Sequence, residues 1–281
     1  MWKQKIGISV SDDYDDISTA EVVKLLAEIG FDAVSPEWKE NVNIAEIVDA
    51  ARNCGLEIQS LHAPFSKAAD MWSRDRVLSD AAKAELRNAL EDCRRFGIPT
   101  MVVHAWIGFD YTFDATVQGL DNFEEIVKCA EDYNVKIAFE NTEGEEYLFA
   151  LMEYFEGRDS VGFCWDSGHE MCYNHSQDLL GRLGDRLMMT HINDNLGISR
   201  FDGKTFWTDD LHLLPFDGVA DWDYNVKRLN AAKKLEILNF ELNMQSKPNR
   251  HENDAYGEMS LRQFFTEAYK RACRIAYRYS A

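Results

Sequence analysis

Carboxylate and imidazole side chains stand directly after apolar runs in the second half of this 281-residue chain. Glu140 ends the run IAFE, Asp166 ends FCWD, His191 ends LMMTH and Glu241 ends LNFE. A lone carboxylate next to a buried strand is costly to desolvate, and three such carboxylates placed together repel one another. A divalent cation relieves both problems, and this mixed ligand set suits Mn²⁺, Zn²⁺, Co²⁺ or Mg²⁺. We therefore predict at least one divalent metal ion bound by these four residues.

The remaining histidines divide into two groups. His62 and His104 end apolar runs, His169 follows one by three residues and His212 lies in the long connection after His191, whereas His175 and His251 lie elsewhere and are expected at the surface. The carboxyl ends of parallel barrel strands converge on one rim, where active sites of such barrels lie. We therefore expect His62 and His104 to be metal ligands or substrate contacts.

The elements that must position these residues are strands and helices in alternation. Apolar and β-branched runs predict eight strands, at residues 5–10, 33–36, 58–62, 101–104, 136–140, 161–166, 187–191 and 237–241. Amphipathic patterns predict helices at residues 18–29, 44–54, 79–96, 122–133, 224–234 and 260–279, with Ser18 and Glu21 as a capping box for the first.

Strict alternation predicts a parallel sheet in an α/β fold, and eight units favour a closed (β/α)8 TIM barrel over an open sheet. An open doubly wound sheet would also require a Gly-rich phosphate loop after an early strand, which this sequence lacks. We expect residues 1–281 to form one domain. The longest connection, residues 192–220, is expected to lie over the barrel mouth, because a long loop in a compact domain is usually functional.

Composition narrows the function classes. A formal net charge of −19 disfavours nucleic acid and anionic membranes as partners, because both are bound through Lys and Arg. The sequence contains no apolar run near the ~18 residues that a membrane span needs. Its six cysteines are scattered without a CxxC pair, and no cleavage site follows the N-terminal basic residues, so we expect reduced thiols and a cytoplasmic location.

Seven short motifs follow one another along the chain: SLHAPF, VVHAW, FENTEG, WDSGH, THINDN, DLHLLPFDGVADW and FELN. In this order and spacing they make the chain resemble the xylose isomerase-like TIM barrels, from KIGISV to FELNM. That superfamily includes sugar phosphate isomerases, ketose 3-epimerases, hydroxypyruvate isomerases, inosose dehydratases and endonuclease IV-type enzymes. The resemblance implies a metal ion bound by the four residues that end strands five to eight, which here are Glu140, Asp166, His191 and Glu241.

The resemblance favours an isomerase or epimerase of a small sugar, polyol or hydroxy-keto compound, acting through a metal-stabilised enediolate in carbohydrate metabolism. It implies that Glu140 and Glu241 exchange protons with a substrate carbon and that His169 holds a substrate oxygen. The predicted substrate contacts on the rim are His62, His104, His169, His212 and Trp106. The sequence shows no clear phosphate site, so we expect a non-phosphorylated substrate; a homo-oligomer is expected only by analogy.

Three alternatives stay open at this point. One is an endonuclease IV-type zinc phosphodiesterase acting on abasic DNA, whose extra zinc ligands would fall on His62, His104, His169, Asp210 and His212. The net charge and the absence of an Arg-rich loop stand against it. Another is an inosose-type dehydratase, which shares the enediolate step. The last is a metal-stabilised binding protein without catalysis, which the intact set of acids and histidines disfavours.

Overall fold

Eight parallel strands close into a barrel in the computed structural model, which describes residues 4–11, 14, 17–110, 117–200 and 202–279. The strands are β1 (Lys5–Val10), β2 (Ala33–Pro36), β3 (Glu57–Ile58 and Leu61–His62), β4 (Thr100–His104), β5 (Lys136–Glu140), β6 (Val161–Asp166), β7 (Leu187–His191) and β8 (Ile237–Phe240). Strands that follow one another in the chain lie side by side, and β8 returns to pair with β1. Single parallel bridges, Glu37 with His62 and Ile192 with Phe240, join the two halves of the barrel. The predicted α/β TIM barrel is confirmed.

The third strand differs from its prediction as one run. Glu57–Ile58 pairs with β2, whereas Leu61–His62 pairs with β4. The chain therefore changes hydrogen-bonding partner within the strand, which alternation of side chains along the sequence does not reveal. The strand still delivers His62 to the carboxyl-terminal rim beside Glu37.

Helices connect the strands and pack around them. They are α1 (Thr19–Ile29), α2 (Ile44–Cys54), α3 (Arg76–Phe96), α4 (Val117–Asp132), α5 (Glu145–Tyr154), α6 (Ser167–Cys172), α7 (Leu179–Leu183), α8 (Trp222–Ala231), α9 (Asp254–Gly257) and α10 (Leu261–Tyr279). The predicted capping box is present: Glu21 N donates to Ser18 Oγ at 3.3 Å, and Ser18 N donates to Glu21 Oε2 at 3.1 Å. The helix α1 ends at Gly30, whose φ of 119° lies in the region that favours glycine.

Three helices begin earlier than their apolar patterns suggested. Asp75 caps α3 by accepting from Val77 N at 2.9 Å, and Asp221 caps α8 by accepting from Tyr224 N at 3.0 Å. The first turn of α3 carries the exposed Val77, and α4 begins at Val117, which is also exposed. A first turn that faces solvent carries no apolar periodicity, so the pattern located the buried middle of α3 and α4 and missed their starts. In α8 the first residue, Trp222, is buried at 4% exposure, but the two residues after it are exposed.

Packing inside the barrel separates the rim from the base. Val102, Ala138, Cys164 and Met189, from four adjacent strands, form a small apolar cluster of their own beneath the rim. The main core lies between the strands and the surrounding helices. The apolar layer fills the barrel beneath the rim, so side chains at the carboxyl ends of the strands can meet a ligand only from the rim side. None of the described helices is long and apolar enough to cross a membrane.

Candidate metal centre

The four predicted ligands meet at the carboxyl-terminal rim. Glu140, Asp166 and His191 are the last residues of β5, β6 and β7, and Glu241 directly follows β8. One donor atom from each lies within 4.8 Å of the others. The first three are buried, with exposures of 0%, 0% and 1%, while the side chain of Glu241 is 23% exposed. Neighbouring parallel strands thus supply three carboxylates and one imidazole to a single point.

Glu140 is the centre of this arrangement, because four imidazoles surround its carboxylate. Its oxygens lie 2.9 Å from His191 Nδ1, 3.2 Å from His62 Nε2, 3.3 Å from His104 Nε2 and 3.5 Å from His169 Nδ1. Burial alone would raise the pKa of Glu140, but the charge of His191 and hydrogen bonds from the imidazoles hold it well below its usual value. The carboxylate is therefore ionised and available as a ligand that two ions could share.

A further cluster lies on the cavity side of the first. Asp210 Oδ2 is 3.4 Å from His169 Nε2 and 3.0 Å from His212 Nε2, and His212 Nδ1 is 3.7 Å from Glu241 Oε2. Burial lowers the pKa of His212, but the charge of Asp210 and its hydrogen bond raise it to about 9. The structure therefore brings Asp210, His169 and His212 together, as well as the four ligands named above.

The donor chemistry fits divalent cations. Five overlapping groups of described residues place ligand atoms within 4.8 Å of one another, and three of them are His62, His104 and Glu140; Glu140, Asp166, His191 and Glu241; and Asp166, His169 and His212. Each combines imidazole nitrogen with carboxylate oxygen, the set that Zn²⁺ and Mn²⁺ accept. A cation also offsets the desolvation of the buried acids, for which the histidines alone now supply counter-charge.

Asn193 lies behind the candidate ligands and orients Asp166, a role that the sequence patterns did not predict. Asn193 Nδ2 donates to both oxygens of Asp166, at 2.9 and 3.2 Å, and Asp166 Oδ1 also accepts from His169 N at 2.7 Å. Burial raises the pKa of Asp166 to about 6, although His169 and His212 lower it. A Cβ on Gly168 would stand 1.9 Å from Asn193 Oδ1, so only glycine fits there. The signal was present in the motifs WDSGH and THINDN, whose polar residues flank the ligands.

A cavity of about 720 Å³ opens above the ligands. Its metal-side wall includes His62, His104, His169, Asp210, His212 and Glu241. Aromatic side chains also line it, among them Phe65, Tyr173 and Trp207. Trp207, Asp210 and His212 come from the long connection, residues 192–220, so that loop contributes to the mouth; its Phe201 lies outside the described residues.

Trp106, predicted as a substrate contact, lies elsewhere. Its ring stacks on Tyr147 with centroids 4.1 Å apart, and Nε1 donates to Gly108 O at 2.7 Å. Its side chain is buried and is not part of the described cavity wall. The structure therefore does not bring Trp106 to the other predicted site residues. His175 and His251 are exposed, as predicted.

Comparisons with known proteins agree with this architecture. The sequence model of the xylose isomerase-like TIM barrel family matches residues 23–277. Uncharacterized protein y4fM from Sinorhizobium fredii is 35% identical over 176 residues, which cover 57% of this chain and 52% of that protein. The matched region thus spans about half of that relative's length.

Two solved structures share the fold. The IolI protein, crystallised with a bound zinc atom, superposes with a TM-score of 0.76 at 16% identity, covering 97% of this chain and 98% of that one. D-psicose 3-epimerase from Clostridium cellulolyticum H10, solved with D-tagatose, gives a TM-score of 0.73 at 14% identity, covering 99% and 100%. At these identities the likeness concerns the fold alone.

Proposed function

Because the chain belongs to the xylose isomerase-like TIM barrel family, we propose that it is a divalent-metal-dependent isomerase or epimerase of a small sugar, polyol or hydroxy-keto compound. The observation that carries the proposal is the convergence of Glu140, Asp166, His191 and Glu241 beside an open cavity, which Glu241 lines. The fold shared with D-psicose 3-epimerase and with the zinc-containing IolI protein supports it.

The ligand set defines what a cation would contribute. When bound, it would polarise a substrate carbonyl and stabilise the negative charge that develops as the adjacent C–H bond loses its proton. Glu241 lines the cavity. Burial raises the pKa of its carboxyl, but the charge of His191 lowers that pKa by more, to about 2. Glu241 is therefore ionised at neutral pH and can accept a carbon-bound proton on a carboxylate oxygen.

Glu140 is the second acid–base group. His191 Nδ1 lies 2.9 Å from Glu140 and 3.2 Å from Glu241, so the two carboxylates flank one imidazole. A proton taken by Glu241 can return from the same carboxylate to the neighbouring carbon, which isomerises the substrate. Because Glu140 is ionised, it must first take up a proton from water before it can return one to the opposite face of the carbon, which epimerises the substrate. His169 is placed to hold a substrate oxygen, because its Nδ1 is 2.9 Å from Asn141 O and the ring lines the cavity.

The test is exchange of a carbon-bound proton with deuterated water, followed by NMR across a panel of ketoses and hydroxy-keto acids. The metal-loaded protein should incorporate deuterium next to the carbonyl of one of them. Glu241→Gln and Glu140→Gln should lower kcat by more than ~100-fold, the usual scale of acid–base catalysis. Glu143→Gln is the matched control, since Glu143 lines the cavity outside the ligand groups. Full exchange by Glu241→Gln with its metal content intact would refute the role of that carboxylate.

A second candidate, the zinc phosphodiesterase of the endonuclease IV type, is favoured by the three overlapping ligand groups, which could hold up to three ions. Charge opposes it. Among the described residues of the cavity wall the only Lys or Arg side chains are Lys39 and Lys247, which lie 3.3 Å from Glu37 and 3.6 Å from Asp210. A phosphate backbone would find little positive charge there. Three zinc ions per chain together with cleavage of abasic DNA would select this candidate, and release of water from a ketose would select a dehydratase.

A further inference from the structure

The cavity has a second polar wall, formed by two serines. Ser9 on β1 and Ser35 on β2 are register partners in the parallel sheet, and both line the cavity. In a closed barrel of eight strands, β1 stands across from β5 and β2 across from β6, whose ends carry Glu140 and Asp166. A substrate that reaches the candidate metal centre would therefore direct its other end towards these serines.

The two hydroxyls are arranged to bind a ligand. Ser35 is only 2% exposed, and its Oγ has no hydrogen-bond partner within the described part of the chain. Buried hydroxyls are normally paired, so an orphan on a residue that lines a cavity indicates that a bound ligand supplies the partner. Ser9 Oγ accepts a hydrogen bond from Asn239 Nδ2 at 2.9 Å, which leaves its own proton free to be donated. The pair thus offers two donors, and its oxygens keep up to three acceptor lone pairs.

The charged residues near Ser9 and Ser35 favour a neutral ligand group over an anionic one. Side chains alternate along a strand, so Glu37 faces the same side as Ser35, and it also lines the cavity. Lys39, the nearest cation along the chain, lies 3.3 Å from Glu37 and is neutralised by it. An anionic substrate end would meet the Glu37 carboxylate, whereas a hydroxyl could donate to Glu37 and exchange hydrogen bonds with both serines.

We propose that Ser9 and Ser35 form a subsite for the hydroxyl groups of an uncharged polyol arm, so that the protein selects unphosphorylated ketoses over their phosphate esters. This inference rests on the proposed function and deepens it by naming the substrate class.

The test is calorimetric titration of the metal-loaded protein with D-tagatose, L-ribulose, D-fructose and D-fructose 6-phosphate. At least one unphosphorylated ketose should bind, and D-fructose should bind more tightly than its phosphate ester; equal binding of the two would contradict the selection. Ser35→Ala and Ser9→Ala should each weaken the tightest ketose by about 3- to 10-fold, the worth of a neutral hydrogen bond. For a ketose that undergoes exchange, KM should rise while kcat is kept, because this contact is far from the reacting carbon.

Ser60→Ala is the matched control. Ser60 is also fully buried, and its Oγ also lacks a partner among the described residues, but it is not part of the cavity wall. This substitution should leave ketose binding unchanged. Wild-type affinity in both cavity serine variants, tighter binding of the phosphate ester, or no ketose binding at all would each overturn the subsite.

Failure of the subsite can be told apart from failure of the proposed reaction. Binding that depends on the two serines, without any proton exchange, would remove the isomerase proposal and keep the subsite. Exchange that proceeds in serine variants with unchanged binding would do the reverse.

Discussion

Metal binding should release protons, because histidines at the candidate metal centre are protonated when no cation is bound. Burial lowers the pKa of His191, but Cys164, Glu140 and Glu241 raise it well above its usual value. Its Nδ1 lies within 3.2 Å of both glutamates, so a proton there bridges two carboxylates. An imidazole binds a metal ion only in its neutral form. An ion bound by the four ligands must therefore displace the His191 proton.

The number of protons follows from the ligands used. Glu241, with a pKa of about 2, and Glu140, whose pKa is well below its usual value, are already ionised at pH 7 and release none. Asp166, with a pKa of about 6, is also mostly ionised at pH 7. One ion at the four ligands should thus release about one proton, from His191. If His169 and His212 also bind metal, the total should approach about three. His212 has a pKa of about 9, and burial of His169 is outweighed by Asp166 and Asp210, which raise its pKa well above the usual value.

The affinity for the metal ion should increase with pH, because binding of the ion displaces a proton. Below the pKa of His191 the proton competes with the ion, so raising the pH strengthens binding by about tenfold per unit for each proton released. The gain ends once the pH exceeds that pKa. From pH 7 up to the raised pKa of His191, a plot of log affinity against pH should therefore rise with a slope of about one for a single ion.

Calorimetric titration with Zn²⁺ or Mn²⁺ in two buffers of different ionisation enthalpy counts the protons, and chelator competition gives the slope. His251→Gln is the control, because His251 is exposed, lies 2.9 Å from Asp254 and belongs to none of the candidate ligand groups. It should leave both quantities unchanged. Tight metal binding with no proton release and no pH dependence would contradict this prediction, since His191 would then be either neutral before the ion binds or not a ligand.

Two substitutions test the groups that support the site and the fold. Asn193→Ala removes the donor that holds both oxygens of Asp166, and it should weaken metal binding by about 10- to 100-fold, measured by chelator competition; unchanged affinity would contradict its positioning role. Arg228→Met leaves Glu170, now 2.6 Å from the guanidinium and 6% exposed, as an unpaired buried charge, and urea unfolding at pH 7 should show a loss of about 3–5 kcal/mol. Because burial already raises the pKa of Glu170, the deficit should shrink as the pH falls and the carboxyl protonates; a deficit that is independent of pH would contradict this account.

The barrel and the strand-end positions of its carboxylates and histidines follow from local patterns in the sequence. The bounds of β1, β2, β5, β6 and β7 agree with their predictions, because alternation, β-branching and apolar runs are local properties of neighbouring residues. Strict alternation of strand and helix in turn sets the parallel topology. That topology places the last residues of consecutive strands on one rim, so Glu140, Asp166 and His191 could be assigned to a common site before any coordinates were known.

The direction in which a strand-end side chain points, and the residues that it contacts, depend on long-range packing and do not follow from local sequence patterns. Trp106 follows β4 closely, as site residues do, yet it stacks on Tyr147, which is 41 positions away in the chain. Asn193 acts on Asp166 from the loop that follows β7, and the hydroxyl of Ser35 is an orphan because none of its described neighbours offers it a partner. Periodicity reports which side of an element is buried, but hydrogen bonds, pKa shifts and cavities depend on residues that the chain brings together only when the barrel closes.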